Sequence, residues 1–138
     1  MELLHFHYEI SGGDLAGAGE ASSAMKQALR KMGFDSDTVR RVAVCMYEGE
    51  INMVIHADGG TANVDVGEDE ITIVLADHGP GIPDVEQAMQ AGFTTAGDAA
   101  RDLGFGAGMG LPNMKKYSDE MTIDTTVGVG TTVTMVIR

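Results

Sequence analysis

Apolar and polar residues alternate through Leu4, Phe6, Tyr8 and Ile10, which predicts a strand over residues 2–10. Ser11-Gly12-Gly13-Asp14 breaks it. From Glu20 to Met32 the period changes. Ala24, Met25, Ala28, Leu29 and Met32 recur at helical spacing, and Gly33 stops the run. Asp35 or Ser36 is placed to cap a second helix from about Thr38 to Ala57. That helix is apolar at Val42, Val44, Cys45, Met46, Ile51, Met53, Val54 and Ile55, a face wide enough to lie in the core. Thr61–Val66 and Glu70–Ala76 read as strands joined at Gly67-Glu68-Asp69. Residues 84–110 are rich in Gly and Ala, with few large apolar residues besides Phe93, Leu103 and Phe105. Such a stretch buries little, so a mobile lid with a short helix inside it is expected. A helix over Gly110–Tyr117 and a hairpin of Met121–Thr126 with Thr131–Ile137 complete the chain. There is no internal repeat and no linker. Neighbouring strand pairs with separate helices predict an α/β two-layer sandwich, one domain over residues 1–138.

Charge narrows the partners. The formal net charge is −12, with only 9 Lys and Arg. So acidic a chain repels phosphate backbones and anionic bilayers at long range, which argues against nucleic acid and membrane partners. A nucleotide is still admissible, because backbone N–H groups and Mg²⁺ bind phosphate locally. Cys45 is the single cysteine, so no internal disulfide forms and a reducing, cytoplasmic setting is expected. In Val42-Ala43-Val44-Cys45-Met46 it reads as a small buried hydrophobe rather than a nucleophile. Met1-Glu2-Leu3-Leu4-His5 lacks the basic start of a signal peptide, and no apolar run approaches spanning length.

Four short blocks carry chemistry. Glu48 and Asn52, four apart on a helix, share one face. An Asn carbonyl oxygen suits Mg²⁺, and a Glu one turn earlier can take a proton from an attacking hydroxyl or water. The bland alternative is a solvated polar stripe that includes Glu50. His56 continues the face, where it can reach phosphate or simply end the helix. Asp77-His78-Gly79-Pro80-Gly81 follows the apolar run Ile71–Leu75. An Asp there can accept from the exocyclic amine of adenine, while Gly79 and Gly81 let backbone pass close to a flat ring and Ile82 and Met89 line its apolar side. A plain turn is the alternative. Gly104, Gly106, Gly108 and Gly110, with Met109 and Leu111, lead into a helix and suit backbone N–H groups wrapped around a triphosphate. No Walker Gly-Lys-Ser/Thr and no G-x-G-x-x-G occurs there. Arg101 is the one cation in residues 82–114, able to meet a γ-phosphate or to stay solvated. Gly130-Thr131-Thr132 opens the last strand, and Thr131 or Thr132 can bond adenine or a bridging water.

In this order the blocks resemble those of the GHKL ATPase superfamily. Glu48…Asn52 resembles its N box, Asp77–Gly81 its G1 box, Gly106–Gly110 its G2 box and Gly130–Thr132 its G3 box. The resemblance covers nearly the whole chain. The runs Gly108–Glu120 and Thr125–Val133 are most similar to the small anti-sigma-factor and stressosome-type switch-protein serine kinases. The resemblance implies a Bergerat-type fold, with helices on one face of a mixed sheet and a Gly-rich ATP lid. It implies ATP and Mg²⁺, Glu48 as general base, Asn52 as the Mg²⁺ ligand and Asp77 as adenine selector. It further implies phosphorylation of a Ser or Thr on an anti-sigma-antagonist (STAS-type) partner in bacterial transcription or stress signalling. A sigma factor as partner, and a homodimer, are compatible with it. Gly49 and Glu50 depart from the neutral helix formers expected between the N-box pair, and Gly inside a helix costs about 1 kcal/mol relative to Ala.

Three functions compete. A serine/threonine kinase needs positioning and charge neutralisation, both of which these blocks offer. A nucleotide-gated module that sequesters a sigma factor or another regulator needs ATP but no base, so Glu48 favours the kinase. A detached histidine-kinase domain needs a phosphoacceptor His on a helix pair, yet His5 and His7 fall on a predicted strand and His56 and His78 inside motifs.

Overall fold

The computed structural model describes residues 4–12, 17–56, 59–79, 81–82, 89 and 110–138. Its elements are β1 (Leu4–Ser11), α1 (Glu20–Lys31), α2 (Ser36–His56), β2 (Gly59–Val66), β3 (Ile71–Asp77), α3 (Gly110–Tyr117), β4 (Glu120–Thr126) and β5 (Gly130–Ile137). The strands form one five-stranded sheet in the order β1-β2-β3-β5-β4. The α/β two-layer sandwich is as expected. The sheet is antiparallel at every pairing, where a mixed one was expected. The reason lies in the connections. β1 ends at Ser11 opposite Gly59, where β2 begins. Two helices intervene, one leading away from that end and one returning, so β2 must run back along β1. The path from β3 through α3 and β4 to β5 does the same.

The three described helices lie on one face of the sheet. Alternation along the strands is strict: Ile71, Ile73 and Leu75 of β3 and Val133, Met135 and Ile137 of β5 are buried beneath the helices, while their neighbours are half-buried on the other face. The helices contribute Met25 and Leu29 from α1, Val42, Cys45 and Met46 from α2 and Met114 from α3. The α2 start expected at Asp35 or Ser36 is resolved in favour of Asp35, whose carboxylate accepts from Thr38 N–H at 3.1 Å and from Thr38 Oγ1–H at 2.7 Å. These bonds hold its carboxyl below the usual range.

Two residues inside α2 are explained by packing. At Gly49 a Cβ would overlap Leu75 Cδ1 and lie 3.4 Å from Leu75 Cγ and 3.5 Å from Met114 Cε, so helix and sheet meet where only a hydrogen fits. Its helical penalty is offset by that close approach. Glu50, which the alternative reading placed in a solvated stripe, is instead 3% exposed. It points towards α1, whose N-cap Gly19 has no side chain to cap the helix.

Candidate functional site

One pole of the molecule gathers the ends of β1 and β3, the starts of β2 and β5, the N-termini of α1 and α3 and the C-terminal half of α2. The course of α2 over the sheet is set by two close contacts. Gly49 sits on Leu75, and one turn later the Met53 sulfur lies 2.8 Å from where a Cβ on Gly60 would be. Gly60 pairs with Asp77. Glu48 and Asn52, next to these contacts on α2, therefore lie at the same pole as Asp77.

Glu48 is half-buried, and its Oε1 accepts from Asn113 Nδ2–H of α3 at 3.3 Å. Asn52, also half-buried, makes no side-chain hydrogen bond to another described residue. Asp77 uses Oδ1 alone for the fold: that oxygen accepts from Gly79 N–H at 2.9 Å and Thr131 N–H at 3.2 Å. The second oxygen bonds no described group, while the first fixes the direction of the carboxylate.

The turn after β3 is held against the β4–β5 hairpin. Gly81 has φ of 80°, and a Cβ there would come within 2.7 Å of Thr126 O and 2.8 Å of Val127 Cα, so only Gly passes. Ile82 N–H donates to Thr125 Oγ1 at 2.9 Å, and the Thr125 and Thr131 hydroxyls bond each other at 2.9 Å. Ile82 and Met89 pack on the core edge.

The sequence-derived residues thus fall into three groups. Glu48, Asn52, Asp77, Gly79, Gly81, Ile82 and Thr131 come together at this pole. Thr132 does not: strand alternation turns it to the helix-free face, paired with Ala76 and Asp124. Leu111 is 8% exposed and belongs to the core, although its helix start at Gly110 faces the pole. Gly104, Gly106, Gly108, Met109 and Arg101, with most of the expected lid, lie outside the described residues, as does the His56 side chain. Asn113 and Thr125 were assigned no role from sequence. Thr125 was within reach, since a turn at residues 127–129 registers it opposite Thr131.

The donor set suits a magnesium nucleotide. Glu48 and Asn52 offer hard oxygens side by side, and Asp77 offers an anionic acceptor for an amine. Cys45 takes no part: it is fully buried, its Sγ–H faces Met114 O at 3.6 Å, and burial pushes the thiol up to about 12. Among the described residues no group of three or more His, Cys, Asp or Glu is placed to hold a metal ion. No described helix is long and apolar enough to cross a membrane.

Residues 13–137 match the histidine kinase-like ATPase domain. The chain is 30% identical over 110 residues to the serine/threonine-protein kinase RsbT of Bacillus subtilis, covering 77% of each. It is 36% identical over 100 residues to an anti-sigma F factor of Caldanaerobacter subterraneus, 72% of this chain and 62% of that protein. In structure it superposes on a Mycobacterium tuberculosis protein with RsbU and RsbW domains with a TM-score of 0.64 at 16% identity, covering 100% of this chain and 32% of the other. That last likeness concerns the fold alone.

Proposed function

Because the chain belongs to the histidine kinase-like ATPase domain family and is a protein kinase of the GHKL type, we propose that it transfers the γ-phosphoryl group of ATP to a Ser or Thr of a STAS-type anti-sigma antagonist. ATP use follows from the family, and regulatory protein partners follow from the kinship to a switch kinase and to anti-sigma factors. The identity of the partner and the residue roles are the proposal. Glu48 accepts the proton of the partner's hydroxyl as its oxygen attacks γ-phosphorus and the bond to the β–γ bridging oxygen breaks, ADP carrying that electron pair away. Asn52 would hold Mg²⁺, which when bound would neutralise phosphate charge. Asp77 accepts from the adenine amine through Oδ2, which bonds no described group. The N-terminus of α3, beginning at Gly110, turns its amides towards phosphate.

The observation that carries this reading is that α2 packs through Gly49 and Met53 against the end of the sheet where Asp77 Oδ1 is tied by two main-chain amides, which brings Glu48 and Asn52 to the same pole as Asp77. A pure binding module has no use for a half-buried carboxylate in that position. The similarity to anti-sigma F factors supports a second role, capture of a sigma factor in the nucleotide-bound state. The test is incubation with γ-labelled ATP, Mg²⁺ and STAS-domain proteins of the same genome, beside Glu48→Ala. Label should appear on a partner Ser or Thr and fall at least about 100-fold in the variant, the ordinary worth of a general base, while ATP still binds. ATP binding without transfer in the unmodified protein would replace the kinase by the nucleotide-gated module.

A further inference from the structure

Three consecutive residues fix α2 in three directions. At about 100° per residue, side chains on one helical turn point to different neighbours. Glu48 faces α3, where Asn113 bonds it at 3.3 Å. Gly49 faces β3 and lets Leu75 approach. Glu50 faces α1, where its two carboxylate oxygens accept from Ala21 N–H and Ser22 N–H, each at 3.1 Å. These amides belong to the first turn of α1, whose N-cap Gly19 has φ of 99° and no side chain to offer them. Glu50 supplies the capping side chain that Gly19 lacks, from another helix. The carboxylate is nearly solvent-free and meets the positive end of a helix. Two charge-assisted bonds between rigid elements restrict rotation of α2 about its own axis far better than the apolar contacts beside them.

We infer that Glu50 is a positioning residue for the nucleotide site: by anchoring α2 to the start of α1, it sets the rotation at which Glu48 and Asn52 project over Asp77. The inference rests on the kinase reading for what those residues do, but not for whether they move. A rotation of α2 that releases Glu50 from α1 must carry Glu48 relative to Asn113 in the same turn. The Glu48–Asn113 bond is therefore a built-in gauge, readable with no nucleotide present.

The test uses Glu50→Gln, which keeps the length of the side chain but loses the charge, and Glu50→Asp, which keeps the charge but cannot reach both amides. Leu29→Ala, a cavity in α1 away from the site, serves as the control for simple loss of stability. The first readout is the Asn113 side-chain amide signal in nitrogen–proton NMR spectra of the nucleotide-free protein. The second is binding of a fluorescent ATP analogue titrated with Mg²⁺. Both Glu50 variants should shift the Asn113 signal and raise the Mg²⁺ needed for half-maximal binding by about 5-fold or more, while Leu29→Ala leaves both in place. An Asn113 signal unchanged in Glu50→Gln and Glu50→Asp, or a Mg²⁺ shift no larger than in Leu29→Ala, would overturn the inference and leave Glu50 as a cap only. Failure of the kinase reading shows elsewhere, as absence of transfer with the Asn113 shift intact.

Discussion

The two poles of the molecule treat their polar groups in opposite ways. At the pole where α1 and α3 end and α2 begins, the charges that join the elements are paired with one another. Arg41 donates to Tyr117 O at 3.1 Å, to Arg138 O at 3.0 Å and to Asp119 Oδ2 at 2.7 Å. Arg138 N–H returns to the same Asp119 oxygen at 2.6 Å, and its guanidinium bridges Glu70 and Glu120. At the other pole the framework is bonded just as firmly, through Glu50 and through Asp77 Oδ1, yet the groups mounted on it keep capacity that no described residue uses: one oxygen of Asp77, one of Glu48, and the side-chain amide of Asn52. The same sheet and helices run between them. A polar group that the fold needs is saturated by the fold, and one held in place with an open valence is held for something else.

Asp77→Asn is the sharpest way to break that contrast. Asn keeps Oδ1, so the bonds from Gly79 and Thr131 survive and the fold should hold. It puts an NH₂ where the free carboxylate oxygen was, and a donor then faces the donor amine of adenine. Loss of a hydrogen bond to a charged acceptor costs about 1.5–3 kcal/mol, so ATP affinity should fall roughly 10- to 150-fold, with GTP gaining relative to ATP. Calorimetric titration with each nucleotide checks it. Unchanged affinity and selectivity would mean that the open oxygen reads nothing.

Arg41→Gln acts on the saturated pole and should have a smaller effect of another kind. It removes charge-assisted bonds that tie α2 to the end of α3 and to the last residue, and should lower unfolding free energy by about 1–2 kcal/mol at neutral pH. MgATP affinity should stay within about twofold, because the affected residues lie at the far end of α2. The acid limb gives the sign. Arg138 N–H first, and Arg41 second, hold the Asp119 carboxyl below its ordinary range. A group so depressed contributes stability above its unfolded value, about 3.9, and loses it as pH falls through the folded value. The gap between variant and parent in urea unfolding should therefore narrow below about pH 4, without closing, since the Arg138 amide remains.

How much of this was legible in the sequence depended on whether the signal was local. Period-2 and period-3.6 patterns are local, and they placed every described element to within a few residues. The α3 boundaries, Gly110–Tyr117, coincide with the expectation. Sheet direction was less accessible, because it follows from the return of a helix pair to its starting end rather than from any residue. Glu50 was misread for the same reason: its partners, Ala21 and Ser22, are 29 and 28 residues away and contribute main-chain amides, which have no signature in sequence. Gly49 looked like a helix defect until Leu75 appeared beneath it. Asn113 stood inside a motif, but only the antiparallel packing of α3 on α2 brings it to Glu48.

The smallest expected effect divides two adjacent residues that sequence could not separate. Thr131 and Thr132 both looked able to contact a nucleotide, and strand alternation turns them to opposite faces. Thr131→Val keeps the N–H bond to Asp77 but breaks the hydroxyl bond to Thr125, whose Oγ1 also holds Ile82 N–H. One neutral hydrogen bond is worth about 1 kcal/mol, so ATP affinity should fall roughly 5-fold as the turn at Gly81–Ile82 loosens. Thr132→Val alters only the helix-free face, where a β-branched replacement suits the strand, and should leave affinity within about twofold. Equal losses in the two variants would mean that the uncovered face of the sheet reports to the nucleotide pole, and the division of the molecule into a saturated framework and an open site would have to extend through the sheet as well as along it.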